Sequence, residues 1–264
     1  MTEEEATDYV HSIMETFGIS VFDIPRSTER KTPDFEFSFE SERYVVEMKQ
    51  REAEWVLTED EGEAFDAGDV VHKSESIYYF KNLASKVRKG SVQIEAYEPN
   101  ETSFRIVLYF LYGQRAALAA QRLSTTLLGD VCVHELDSKR QWHAHFFDSN
   151  LFQQLENAID GVIILRLNYV AEGEVSTNFE LVLNPFSPRY LRLKESRLAT
   201  VYPESVIDSF KLEKMGKVLI ADYATDRSSE RDTINYLGIK YGINVPQLLR
   251  MGHMTAIIKA PSTD

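Results

Sequence analysis

The chain has 264 residues, 43% hydrophobic and 11% aromatic, which excludes a disordered or fibrous polymer and allows one large domain or two small ones. The net charge of −13 disfavours a polyanion partner, because nucleic acid must be met by Lys and Arg. One cysteine, Cys132, excludes a disulfide scaffold and fits a reducing compartment.

The N-terminal residues are acidic and lack the order of a secretory signal, and no apolar run approaches the ~20 residues of a membrane helix. The expectation is a soluble cytoplasmic protein that does not engage a membrane. The charge is uneven. Residues 1–70 carry 20 acidic and 6 basic side chains, and residues 71–264 carry 22 and 23. Residues 52–69 hold eight acids and no Lys or Arg, a pattern expected of a solvated loop or of a flap that repels or mimics nucleic acid.

In chain order, residues 7–17 place Val10, Ile13, Met14 and Phe17 at helical spacing, with Gly18 as the stop. A short strand at 21–24 ends at Pro25. Residues 34–40 alternate strictly, with three phenylalanines on one face, and 43–49 reads as the return strand of a β-hairpin. A helix is predicted over 74–90, with Ile77, Phe80, Leu83, Ala84 and Val87 on one stripe and Gly90 as its end. Residues 103–112 predict a buried strand in mid-sheet, and 114–128 an Ala- and Leu-rich helix stopped by Gly129.

Beyond it, 131–136 and 141–147 read as a second hairpin turning at Ser138-Lys139, and 149–159 as a helix. Strands are expected at 162–168 and 179–184, a break at 184–188, and a helix at 229–241 capped by Ser229. The fold class expected is α/β, a mixed central β-sheet with flanking helices and a β-rich C-terminal half. Residues 1–129 are read as the core and 130–264 as a sheet extension or a small α+β accessory region.

The first hairpin carries the chemistry. Asp34 follows Pro33 at the start of one strand, and Glu47 and Lys49 leave the same face of the next. Twelve residues separate Asp34 from Glu47, enough to run up one strand and back, so the carboxylates converge. Two carboxylates and the backbone carbonyl of Met48 form half a shell for Mg²⁺ or Mn²⁺, hard cations that prefer oxygen. Such a cation lowers the pKa of a bound water, and Lys49 would orient that water or stabilise the pentavalent phosphoryl oxygens.

Pro33-Asp34, twelve residues, then Glu47-Met48-Lys49 resembles the signature of the PD-(D/E)XK nuclease superfamily. The resemblance covers residues 3–136 and implies a restriction-endonuclease-like α-β-β-β-α-β core. It implies catalysis by Asp34, Glu47 and Lys49, and metal binding by Asp34, Glu47 and the Met48 carbonyl. Glu15 matches an acid that helps to bind metal from the first helix. It further implies phosphate contacts from Lys86, Lys89 or Gln93, which share a helical face only if the helix runs past Gly90. Gln50 resembles the residue after the motif lysine in some members.

Cys132, His134, His143 and His145 are zinc-type ligands on one side of the second hairpin, Cys132 facing His145 if paired positions sum to 277. A flat ribbon seldom brings four side chains into a tetrahedron, so an ordinary hairpin is the expectation. Arg189, Tyr190, Arg192, Lys194 and Arg197 read as a solvated face or a phosphate-contact patch. The functional expectation is a metal-dependent endonuclease acting on DNA, although the resemblance does not choose DNA over RNA. Its acidity points to a protein partner or a homo-oligomer that supplies positive surface. The rival is an inactive nuclease-fold module that binds a basic partner through the acidic loop.

Overall fold

A computed structural model describes residues 1–27, 31–55, 57–77, 79–97, 102–136, 138, 140–148, 150–171, 174–221, 229–249 and 253–259. The first helix, α1 (Glu3–Thr16), starts earlier than its apolar spacing implies because Thr2 and Glu5 cap each other. The Thr2 N–H donates to Glu5 at 2.7 Å and the Glu5 N–H to the Thr2 hydroxyl at 3.2 Å. Strands β1 (Ser20–Asp23), β2 (Phe35–Phe39) and β3 (Glu42–Glu52) follow as an antiparallel meander. Phe35, Phe37 and Phe39 all point inward, as the period of two requires.

The acidic segment is not simply a loop. It contains α2 (Glu59–Asp66), nucleated by a second capping box between Thr58 and Glu61, and it buries none of its residues. Strand β4 (Val70–Ser76) then occupies the start of the helix expected over 74–90. The helix α3 (Lys81–Tyr97) begins later and passes through Gly90, because Val87 and Ile94 continue one buried stripe across it. In β5 (Phe104–Tyr112) all nine residues are buried. Helix α4 (Ala116–Leu128) stops at Gly129, whose φ of 60° is the left-handed cap that favours glycine.

Strands β6 (Val131–Glu135) and β7 (Gln141–His145) form the second hairpin, although Lys139 of its expected turn lies outside the described residues. Helix α5 (Leu151–Gln154) is a single turn where a longer helix was expected, and Ser149 also lies outside the described residues. Next come β8 (Gly161–Ala171), β9 (Glu174–Leu183), α6 (Tyr190–Lys194), α7 (Arg197–Val201) and β10 (Val206–Ile207). The described chain closes with α8 (Ser209–Lys214), β11 (Val218–Ile220), α9 (Glu230–Tyr241), β12 (Pro246–Leu249) and β13 (His253–Lys259).

The central sheet has the order β1-β2-β3-β5-β8-β9-β10. Its middle strands β3, β5 and β8 are parallel and its flanks include antiparallel pairs, so the sheet is mixed. Parallel strands need crossovers, and these place helices on both faces. One face packs Val46, Met48, Phe110 and Leu108 against Val10 and Met14 of α1 and Leu193 of α6. The other packs Val45, Val107, Tyr109 and Leu111 against Leu83 and Val87 of α3 and Leu123 of α4.

Residues 131–145 do not extend this sheet. They form a second one, β11-β7-β6-β12, whose own core of Val133, Ala144, Leu219 and Leu237 includes α9. A third pair joins β4 to β13. The fold is thus α/β, a mixed central sheet flanked by helices. No described helix is long and apolar enough to cross a membrane.

Candidate functional site

Strand β2 ends its pairing with β3 at Phe35↔Val46, so from Glu47 onward β3 has only β5 beside it. The register carried one step further sets Asp34 across from Glu47. The Asp34 carboxylate closes the free edge, its Oδ2 accepting the Met48 N–H at 2.7 Å. Lys49, two residues along the same face, donates to Glu47 Oε1. Asp34, Glu47 and Lys49 therefore meet at one point. That point lies in an open cleft of about 1240 Å³ bounded by the N-terminal half of α1, the β1–β2 connection, β3 and Gln93 of α3.

Burial decides the electrostatics. Glu47 is 1% exposed, and its Oε2 has no hydrogen-bond partner among the described residues. Burial first, and the Asp34 charge second, push its carboxyl up to about 7, against the smaller downward pull of Lys49. Asp34 is also raised by burial, opposed by the Met48 N–H and Lys49. Helix α3 comes close enough to bury Glu47 because residue 90 has no side chain. A Cβ there would lie 3.1 Å from Glu47 Cγ and 3.3 Å from Val107 Cγ2.

The helix through Gly90 meets the condition for Lys86, Lys89 and Gln93 to share a face. Gln93 lines the cleft and donates to the Thr32 carbonyl at 3.2 Å. Lys86 and Lys89 are exposed and lie outside the cleft lining. Gln50, whose buried Oε1 has no partner among the described residues, lines the cleft beside Lys49. Glu15 does not reach it. It is exposed near the far end of α1, and at 1.5 Å per residue it stands about 16 Å along the axis from Glu4. The acids that α1 presents to the cleft are Glu3, Glu4 and Asp8. The signal for them was the Thr2-x-x-Glu5 box, which starts the helix early enough to carry them.

With Asp23, Asp34 and Glu47, six carboxyl groups line the cleft against three basic groups, Arg26, Lys31 and Lys49. Such a surface repels a phosphate unless cations join it. Among the described residues no three His, Cys, Asp or Glu side chains gather tightly enough to hold a metal ion alone. The groups seen at the notch are instead two carboxylates, Asp34 and Glu47. Both are hard ligands, and the orphaned Glu47 Oε2 fits a divalent cation completed by water.

Of the zinc-type candidates, His143 and His145 are engaged elsewhere, while Cys132 is a free thiol and His134 Nδ1 is buried without a partner among the described residues. In the second hairpin Cys132 pairs with His143 and His134 with Gln141, so paired numbers sum to 275 and the predicted register is two residues out. His145 Nδ1 lies 2.8 Å from Ser209 Oγ, buried, with its pKa lowered by that burial. His143 Nδ1 lies 2.9 Å from Asp130 Oδ2, which raises its pKa. The stretch from Arg189 to Arg197 is a solvated face only in part, since Arg192 and Arg197 are exposed and the other candidates are tied into the fold. Arg189 is 5% exposed and pairs with buried Asp160, Lys194 pairs with Asp208 and Arg197 with Glu40. Arg192 lies over the Phe104 ring.

No family model matches the chain, and neither a curated protein nor a solved structure does.

Proposed function

We propose that the protein is a metal-dependent nuclease with a restriction-endonuclease-like core, cutting phosphodiester bonds of nucleic acid, with DNA as the first substrate to test. The observation that carries this reading is Glu47, a buried carboxyl with one oxygen on Lys49 and the other without a partner, facing Asp34 in an acidic cleft. A buried carboxyl left half-satisfied costs stability, and such groups concentrate where chemistry is done.

Asp34 and Glu47, with the Met48 carbonyl, would hold Mg²⁺ or Mn²⁺. A cation bound there supplies Lewis acidity and shields the charge that grows on phosphorus. Asp34 keeps its position because the Met48 N–H holds one of its oxygens. Lys49 is held over the notch by Glu47 and would stabilise the negative charge on the phosphoryl oxygens or take the proton of the attacking water. Gln93 lines the cleft, and the exposed lysines of α3 outside it would meet the backbone of a bound strand.

The test is cleavage of plasmid and of single-stranded DNA and RNA by the purified protein with Mg²⁺ or Mn²⁺. Lys49→Ala and Asp34→Asn are expected to lower the rate by about 10²- to 10⁴-fold, the usual range for a lost acid-base or charge-stabilising group. Absence of cleavage by the wild type, or equal cleavage by the variants, overturns the reading. It would return the chain to the rival of an inactive module with an acidic partner-binding segment.

A further inference from the structure

Beyond Lys49 the same face of β3 carries one more basic residue, Arg51. Lys49 stands beside Tyr109 of β5 in the parallel register, and Arg51 stands beside Leu111. Helix α3 runs back over this face, with Gly90 above Glu47 and Lys86 one turn nearer its start. Although Lys86 is exposed at the surface, partial burial first, and then the positive charges of Arg51, Lys49 and Lys89, lower its pKa. The Arg51 charge also acts on the Tyr109 hydroxyl.

These groups are short of acceptors. Among the described residues neither Arg51 nor Lys86 forms an ion pair. Arg51 instead packs over the Phe80 ring, 5.4 Å from its centroid. Among the described residues the buried Tyr109 hydroxyl has no hydrogen-bond partner, a donor left unused at the floor of the same seam. Like charges gathered without a carboxylate repel one another, and a buried hydroxyl without a partner costs stability. An anion relieves both. The cleft next door is acidic, so this seam is where a polyanion finds its positive surface within the same chain.

We propose that the seam between β3 and α3, where Arg51 and Lys86 gather over the Tyr109 hydroxyl, is a second phosphate site. It grips a backbone phosphate of a polynucleotide strand next to the bond that is cut. The inference rests on the nuclease reading and narrows it. The substrate is a strand long enough to span both places, since Glu47 and Arg51 are about 13 Å apart along β3. A mononucleotide or a small phosphodiester would reach only one.

The experiment is binding of a short single-stranded oligonucleotide without terminal phosphates, with Ca²⁺ in place of Mg²⁺, followed across a salt series. Arg51→Gln and Lys86→Gln are each expected to weaken binding about tenfold and to lower the salt slope by about one contact. Tyr109→Phe is expected to weaken binding by a smaller factor without lowering the melting temperature, an outcome that a purely structural role would not give. Wild-type affinity and slope in both charge variants overturn the site. So does inorganic phosphate binding as tightly as the oligonucleotide with the same sensitivity to the variants, because the seam would then hold a free anion. Wild-type cleavage alongside unaffected binding in the variants removes only the second site. Arg51-dependent binding by a protein that never cuts removes only the nuclease reading.

Discussion

The two hairpins of this chain present similar raw material and end differently. The β2–β3 hairpin brings Asp34, Glu47 and Lys49 to a free strand edge, and the β6–β7 hairpin brings Cys132, His134, His143 and His145 to one side of a ribbon. In the second, neighbours absorb two of the histidines, His143 by Asp130 and His145 by Ser209. In the first, pairing stops one residue short of Glu47, and the helix above it closes at Gly90 without bringing a partner for Oε2. Residue types on a shared face identify a chemical possibility. Each hairpin leaves a buried atom without a partner among the described residues, His134 Nδ1 in the second and Glu47 Oε2 in the first, and what separates them is that the Glu47 oxygen lies beside a second carboxylate and a lysine in an open cleft.

The strongest way to break this contrast is through the proton on Glu47. Its folded pKa of about 7 lies above its ordinary 4.5, so between these values the native state holds a proton that the unfolded chain has released. Its contribution to stability is therefore full below about pH 4.5 and is lost as pH rises through 7. The loss is at most about 3 kcal/mol. Melting temperatures from acid to pH 8.5 should fall more steeply for the wild type than for Glu47→Gln, whose difference isolates this one group. Mg²⁺ should recover part of the loss above pH 7, since a ligand of the native state stabilises it. Parallel profiles for the two proteins would place Glu47 with the satisfied residues of the second hairpin.

A smaller effect sharpens the role of the helix. Gly90→Ala gains about 1 kcal/mol of helix propensity, yet its Cβ meets Glu47 Cγ and Val107 Cγ2. The helix must lift from the notch. Cleavage is expected to fall tenfold or more while denaturant stability changes by about 1 kcal/mol or less. The smallest effect belongs to the second hairpin. His143→Ala removes a pair whose histidine is mostly exposed, so stability should change by less than about 1 kcal/mol and cleavage not at all. A zinc chelator should leave the melting temperature where it was.

Much of the arrangement was legible because it repeats at short range. The alternation of Phe35, Phe37 and Phe39 against Tyr44 and Val46 set the first hairpin, and from it followed the meeting of Asp34 with Glu47. The unbroken apolar run of β5 announced a central strand. Other features depended on competition between signals. Gly90 reads as a helix stop because glycine is a poor helix former, but Ile94 extends the stripe of Leu83 and Val87, and packing over Glu47 outweighs propensity. The acids of 52–69 mask the Thr58–Glu61 box that starts α2. The register of the second hairpin was not available in the sequence, because its pairing is also set by β11 and β12, which come from much later in the chain. For the same reason Ser209, the partner of His145, was out of sight.

The parallel pairing of β3 with β5 joins Tyr44 to Phe104 across two helices and a strand. Its consequence is one of timing. Hairpins close in microseconds, so Asp34 and Glu47 can find each other early, as two solvated acids of ordinary strength. The dry surroundings that alter Glu47 arrive only when α3 docks and β5 threads alongside, contacts that long loops make slow. A chain that has emerged only through its first hairpin therefore carries Asp34, Glu47 and Lys49 together and none of the altered acidity of Glu47, which comes with α3 and β5.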